Sequence, residues 1–129
     1  MDCLFCKIIE GSIPSKTIYE DEIVKVFLDI NPNTNGHCLV IPKKHVVTID
    51  EVDEDLMGHI LKVIKEIHKL LKEKLNIEGL TIAQNNNLGQ EVKHLHFHLI
   101  PRYSNDNWNL NFNQLELKDI EEIYKLIVG

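Results

Sequence analysis

The segment from Asp53 to Leu75 constrains the fold most. Leu56, Ile60, Val63, Ile64, Ile67, Leu70, Leu71 and Leu75 recur at spacings of three and four, and Lys62, Lys65, Glu66, Lys69, Lys72 and Glu73 fill the opposite face. That pattern predicts an amphipathic helix of about six turns. Thr48, Asp50 and Asp53 are candidate caps at its start, and Gly79 closes the turn after it. A stripe that long must be buried on something, and the flanking segments read as strands. Ile18–Glu20 and Ile23–Leu28 flank Asp21-Glu22 as a hairpin. His37–Ile41, Leu80–Gln84 and His94–Ile100 follow, the first and last ending at a proline. Lys118–Val128 reads as a shorter terminal helix. Two helices with mainly hairpin-connected strands predict an α+β domain: an antiparallel sheet of about five strands, one long central helix and a C-terminal helix. Its 129 residues fit one domain, 1–129.

Composition narrows the partners. Twenty acidic residues against fourteen basic ones leave a net charge of −6. That argues against a nucleic-acid backbone or an anionic membrane as ligand. No apolar run reaches the roughly 18–20 residues of a bilayer span, and the N-terminus has no basic region of a signal peptide. A cytoplasmic location is therefore expected. The three cysteines then read as thiols or metal ligands rather than disulfides.

The segment His94-Leu95-His96-Phe97-His98-Leu99-Ile100 carries the chemistry. In a strand, His94, His96 and His98 share one face, and Leu95, Phe97 and Leu99 share the other. Alternate side chains stand about 6.8 Å apart, so the row can grip a phosphate or hold a metal. The bland alternative is a solvated edge strand that happens to carry histidine. Imidazole is a competent nucleophile towards phosphorus and is partly neutral near pH 7. A second ring can donate to phosphoryl oxygens, and a backbone carbonyl or third ring can fix the tautomer of the attacker.

These residues resemble the motif of the histidine-triad nucleotide hydrolases and transferases. Gly89-Gln90-Glu91-Val92-Lys93 precedes the row as the family's Gly-Gln segment does, and Ile100-Pro101-Arg102-Tyr103 follows it as in many bacterial members. Phe27-Leu28-Asp29-Ile30, the run Gly36–His45, and Cys3-Leu4-Phe5-Cys6-Lys7-Ile8-Ile9 are similar to further family segments. The resemblance covers about residues 3–103, with an arm and helix over 104–129.

The resemblance implies the histidine-triad fold and the roles that follow. His96 would be the nucleophile, with His98 on the α-phosphate and His37 supporting the row. Gln90 would touch the phosphate or leaving group with backbone amides of the Gly89 loop. Asp29 would bind the ribose hydroxyls, Leu4, Phe5, Ile8 and Ile30 would line the base pocket, and Asn85 would sit at the ribose–phosphate edge. The activity implied is hydrolysis of nucleoside 5′-phosphoramidates or related nucleotidyl compounds, purine preferred, by a homodimer without a catalytic cofactor. A nucleotide-binding regulatory module with little turnover, a dinucleoside polyphosphate hydrolase, and a hydrolase with its metal on His94, His96 and His98 are the competing readings. Two departures stand out: Glu91 replaces the usual serine or threonine, and the 85–89 loop is about two residues shorter.

Cys3 and Cys6 form a Cys-x-x-Cys pair, which reads as half a zinc site or a redox motif, and nothing around it gives the βαβ context of the latter. Zinc needs two more ligands. The resemblance supplies them: some members of the family, and the related galactose-1-phosphate uridylyltransferases, use a cysteine pair with histidines corresponding to His45 and His94. A closed structural zinc site is therefore expected, against a reduced pair of half-buried thiols. His59 and His68 read as polar residues of the helix and Cys38 as core. Lys43-Lys44 reads as an exposed turn. Trp108 is either a surface aromatic or a residue reaching a partner subunit's site.

Overall fold

The computed structural model describes residues 2–108 and 117–129. Five antiparallel strands form one sheet: β1 (Thr17–Glu20), β2 (Val24–Leu28), β3 (Cys38–Pro42), β4 (Gly79–Ala83) and β5 (Phe97–Arg102), in the order β1-β2-β3-β5-β4. Among the described residues three α-helices accompany it: α1 (Leu4–Glu10), α2 (Glu54–Leu75) and α3 (Ile120–Val128). The long central helix, the C-terminal helix and the five-stranded antiparallel sheet are as the sequence predicts.

The strand pleat sorts side chains into two cores. Val24, Val26, Cys38, Val40, Phe97 and Leu99 point to one face, against Ile60, Val63, Ile64, Ile67 and Leu71 of α2. Phe27, Leu39 and Ile41 point to the other, against Cys3, Phe5 and Ile8 at the start of the chain. The sheet is thus covered by α2 on one side and α1 on the other. Lys25 lies on the α1 face with 8% exposure. Its Nζ donates to the Ile8 carbonyl at 3.4 Å and lies 3.7 Å from Glu20, which satisfies the buried charge and ties α1 to the sheet.

Helix α2 starts at Asp53, whose carboxylate accepts from the Leu56 amide at 2.8 Å. It ends at Leu75 as the pattern predicts, capped by Asn76 in the left-handed conformation, φ 53°, and Gly79, expected to close the following turn, opens β4. Helix α1 has no periodic signature because seven residues are too few to show one, and its cap is a sulfur: Cys3 Sγ accepts from the Cys6 amide at 3.3 Å. Strand β5 begins at Phe97, three residues later than the His94 start expected from alternation. His94 and His96 still lead into it, and Leu95 is held by its amide on the Val46 carbonyl at 2.7 Å. The strand also runs through Pro101. Strand β3 leaves β5 after Leu99, so on that side the Pro101 carbonyl is taken by the Thr34 hydroxyl at 2.7 Å and no ladder N–H is needed.

Gly36 approaches α2 and β5 so closely, at φ 95°, that a Cβ there would lie 2.6 Å from Leu75 Cδ1. Asp21 closes the β1–β2 turn by accepting from Ile23 and Val24, each at 2.8 Å. Its other oxygen takes the Tyr19 hydroxyl at 2.8 Å and His59 Nε2 at 2.7 Å, so His59 clips α2 to the hairpin. Trp108 stacks on its own chain, with the Arg102 guanidinium 4.7 Å from its ring centroid, and Asp106 holds that guanidinium at 2.7 and 2.9 Å. Of the arm expected over 103–114, residues 109–114 lie outside the described residues. None of the described helices is long and apolar enough to cross a membrane.

Candidate active site

A cavity of about 540 Å³ opens on the α1 face of the sheet, within the size range of small-ligand pockets. Leu4, Phe5 and Ile8 of α1, Asp29 and Ile30 after β2, Asn85 and Gly89 of the loop after β4, and His37, His96 and His98 all line it. The sequence reasoning missed Ile13, Pro14 and Ser15, which close one wall after α1 and carry no motif of their own.

Hydrogen bonds assign the imidazole tautomers. His96 Nδ1 sits 2.8 Å from the carbonyl of His94. A carbonyl only accepts, so Nδ1 bears the proton and Nε2 keeps its lone pair. Phe5 packs edge-on against this ring, with centroids 5.1 Å apart. The Asn33 amide donates to His37 Nδ1 at 3.0 Å, which places the His37 proton on Nε2. That proton is donated to His98 Nδ1 at 3.0 Å, so neutral His98 carries its own proton on Nε2. Burial lowers the pKa of His37, partly offset by Asp29 at 3.6 Å. Burial, with His96 and His37 alongside, lowers that of His98 to about 4. A lone-pair nitrogen on His96 and an N–H on His98 therefore stand side by side, with ring centroids 4.9 Å apart.

Asp29 fixes its own turn by accepting from the Asn31 amide at 2.9 Å. Of the three asparagines after β4, only Asn85 lines the cavity; Asn86 binds Gln84 and the Ile49 amide. Gln90 is buried, and its side chain bonds within the protein. It donates to the Val47 carbonyl at 2.6 Å and accepts from Asn87 at 3.2 Å. Its place is therefore to brace the loop whose Gly89, at φ 90°, borders the cavity.

On the far side of His96 the ring of His94 turns away from the cavity. Its Nε2 donates to the Pro42 carbonyl at 2.8 Å, leaving the Nδ1 lone pair facing Cys3 Sγ at 3.3 Å, Cys6 Sγ at 3.6 Å and His45 Nδ1 at 3.2 Å. Cys6 Sγ lies 3.3 Å from His45 Nδ1. Ligand edges of a tetrahedral zinc with two sulfurs and two nitrogens are about 3.3–3.8 Å, given usual Zn–S and Zn–N bonds. The cluster fits such an ion. Burial and the neighbouring Cys3 push the Cys6 thiol up to about 11, and a bound cation would draw that proton off. The three row histidines share no metal-sized cluster. Among the described residues the two such clusters are Cys3, Cys6, His45, His94 and Asp29, His37, His98.

Residues 10–105 match the HIT domain family model. The chain belongs to the HIT family. An uncharacterized HIT-like protein of Methanocaldococcus jannaschii is 47% identical over 129 residues, covering 98% of this chain and 99% of that protein. An adenosine 5′-monophosphoramidase of Candida albicans is 42% identical over 106 residues, 78% of this chain and 70% of that enzyme. A crystal structure of a zinc-bound histidine triad protein from Mycobacterium smegmatis superposes with a TM-score of 0.80 at 35% identity, covering 98% of this chain and 91% of that one. HIT proteins thus include named hydrolases, and at least one HIT relative of the same fold binds zinc.

Proposed function

We propose that this HIT protein hydrolyses nucleoside 5′-phosphoramidates, purine preferred, through a nucleotidyl-histidine intermediate on His96. The observation that carries the reading is the tautomer of His96: its Nδ1–H is tied to the His94 carbonyl, and its Nε2 lone pair is left for the cavity. That nitrogen attacks the α-phosphorus, the N–P bond forms, the P–N bond to the leaving group breaks, and the amine departs with a proton. Water then attacks the same phosphorus, releases the nucleoside monophosphate and restores His96. His98 donates its Nε2–H to the phosphoryl oxygens as charge builds there. His37 holds His98 in that tautomer, and the braced Gly89 loop offers backbone amides. Asp29 faces the ribose hydroxyls at one end of the cavity, with Asn85 at the ribose–phosphate edge. Leu4, Phe5, Ile8 and Ile30 enclose the base.

Cys3, Cys6, His45 and His94 would hold a structural zinc, whose charge would neutralise the thiolates and tie α1 to the row. Strand β4 ends the sheet with Ile82 51% exposed, an edge that suits a homodimer continuing the sheet across a two-fold axis. A cytoplasmic location and one domain over 1–129 complete the reading.

The test follows AMP release from adenosine 5′-phosphoramidate by chromatography, with the wild-type protein and with His96→Ala. Turnover by the wild type, reduced about 10³-fold or more in the variant, is the expected outcome. A folded, zinc-loaded wild type with no turnover would refute the reading.

A further inference from the structure

The charges that line the cavity are both negative. Among its lining residues are Asp29 and Glu91, and no lysine or arginine. An anionic substrate would ordinarily be met by a cation. Here the polar groups beside these carboxylates are the imidazoles of His37, His96 and His98 and the Gly89 loop. Asp29 is committed: one oxygen accepts the Asn31 amide and the other faces His37 at 3.6 Å. Glu91 is exposed and, among the described residues, its carboxylate has neither a hydrogen bond nor an ion pair. The nearest cation in sequence, Lys93, turns its Nζ to the Asn87 carbonyl at 3.2 Å. Glu91 lines the same cavity as His96 and His98 and stands on the segment between Gly89 and the histidine row, where the next side chain, Val92, packs on the apolar cluster of Phe5, Phe27 and Leu39.

We infer that Glu91 is a specificity-determining residue that selects leaving groups carrying positive charge: the phosphoramidates of amines that bear a second ammonium group. The inference rests on the nucleotidyl-transfer reading above. In that reaction the His96 Nε2–phosphorus bond forms as the P–N bond breaks, and the amine nitrogen leaves with a proton. A second ammonium on the departing amine is attracted to the Glu91 carboxylate, whereas a departing polyphosphate adds negative charge where the lining already holds a carboxylate. An exposed pair of this kind changes the rate modestly and is screened by salt.

The experiment compares two adenosine 5′-phosphoramidates of equal length, one made with 1,4-diaminobutane and one with n-pentylamine, and includes diadenosine tetraphosphate as the anionic case. At low salt the wild type should show a kcat/KM about three- to fivefold higher for the diamine substrate, and near 1 M salt the preference should vanish. Glu91→Gln should bring the ratio to about one at any salt, and Glu91→Lys should invert it and raise turnover of the tetraphosphate relative to the amines. Equal turnover of the two amine substrates by the wild type would overturn this inference while leaving the nucleotidyl-transfer reading intact. So would a preference that survives in Glu91→Gln. Failure of the wild type on both amine substrates would overturn that reading, and this one with it.

Discussion

His94 and His98 lie four residues apart on one extended segment, and their surroundings make them opposite kinds of group. His94 is wholly buried, gives its Nε2–H to a backbone carbonyl, and turns an Nδ1 lone pair towards two thiols and a second imidazole. His98 lines the cavity, takes a hydrogen bond at Nδ1 from His37, and keeps an N–H at Nε2. One ring is prepared to bind a cation and the other to donate to an anion. The difference comes from which nitrogen the neighbouring backbone and side chains claim. His96 stands between them and draws on both, since the carbonyl that orients it belongs to His94.

Breaking the His94 side should have the largest effect on the folded chain. Cys6→Ala removes one ligand of the proposed zinc and should cost about 3–5 kcal/mol in denaturant unfolding, with zinc content by elemental analysis falling from one per chain towards zero. Its turnover should fall far less than that of His96→Ala. Equal loss of activity in a folded Cys6→Ala protein would merge the two sides.

Breaking the other side should spare the fold and strike the rate. His37→Ala frees Nδ1 of His98 and with it the choice of tautomer, and a loss of about 10- to 100-fold in kcat is expected, with zinc retained. A variant with unchanged kcat would remove His37 from the support of the row.

Acid should separate the sides further. His98 has its pKa lowered to about 4 by burial and by His96 and His37, with Asp29 opposing. Between an unfolded value near 6.5 and that folded value, the unfolded chain binds the extra proton. This contribution to stability is therefore complete above about pH 6.5 and is lost as pH falls towards 4. Thermal melts from pH 7 to 4.5 should show a falling Tm, with a shallower slope in His98→Asn.

The smallest effect belongs to a histidine outside the row. His59→Leu breaks the clip to Asp21 and should cost about 1 kcal/mol without changing kcat. Burial raises the Asp21 carboxyl, but the Val24 and Ile23 amides, His59 and Tyr19 outweigh it and hold the group well below the usual carboxylate range. Removing His59 should therefore move the Asp21 titration upward by NMR.

Much of this arrangement is legible in the sequence. The α2 stripe and the Leu95, Phe97, Leu99 alternation announce the core because burial imposes period on apolar residues. The Cys3, Cys6, His45 and His94 cluster follows from the resemblance, and its compactness could be seen only in three dimensions. Other parts have no such signal. The Asn33 amide that sets the tautomer of His37 is a backbone group and leaves no trace in residue type. Gln90 looks like a ligand residue, and its bonds to Val47 and Asn87, which brace the loop, are visible only in the fold. Helix α1 is too short to be periodic, and Ile13–Ser15 enter the cavity through the path of the chain after it. His59 reads as an ordinary polar position until the hairpin is folded beside it.

Cys3 and His94 are in contact across a sequence separation of 91 residues. Synthesis at about 5–20 residues per second therefore leaves roughly 5–18 s between the appearance of the first thiol and that of its imidazole partner. During that interval the opening segment has Phe27, Leu39, Ile41 and Lys25 to lie against but lacks the imidazole that completes its thiol cluster. The thiol cluster is therefore complete only once residue 94 has been made, so a nascent chain halted before residue 94 should leave Cys3 and Cys6 open to alkylation.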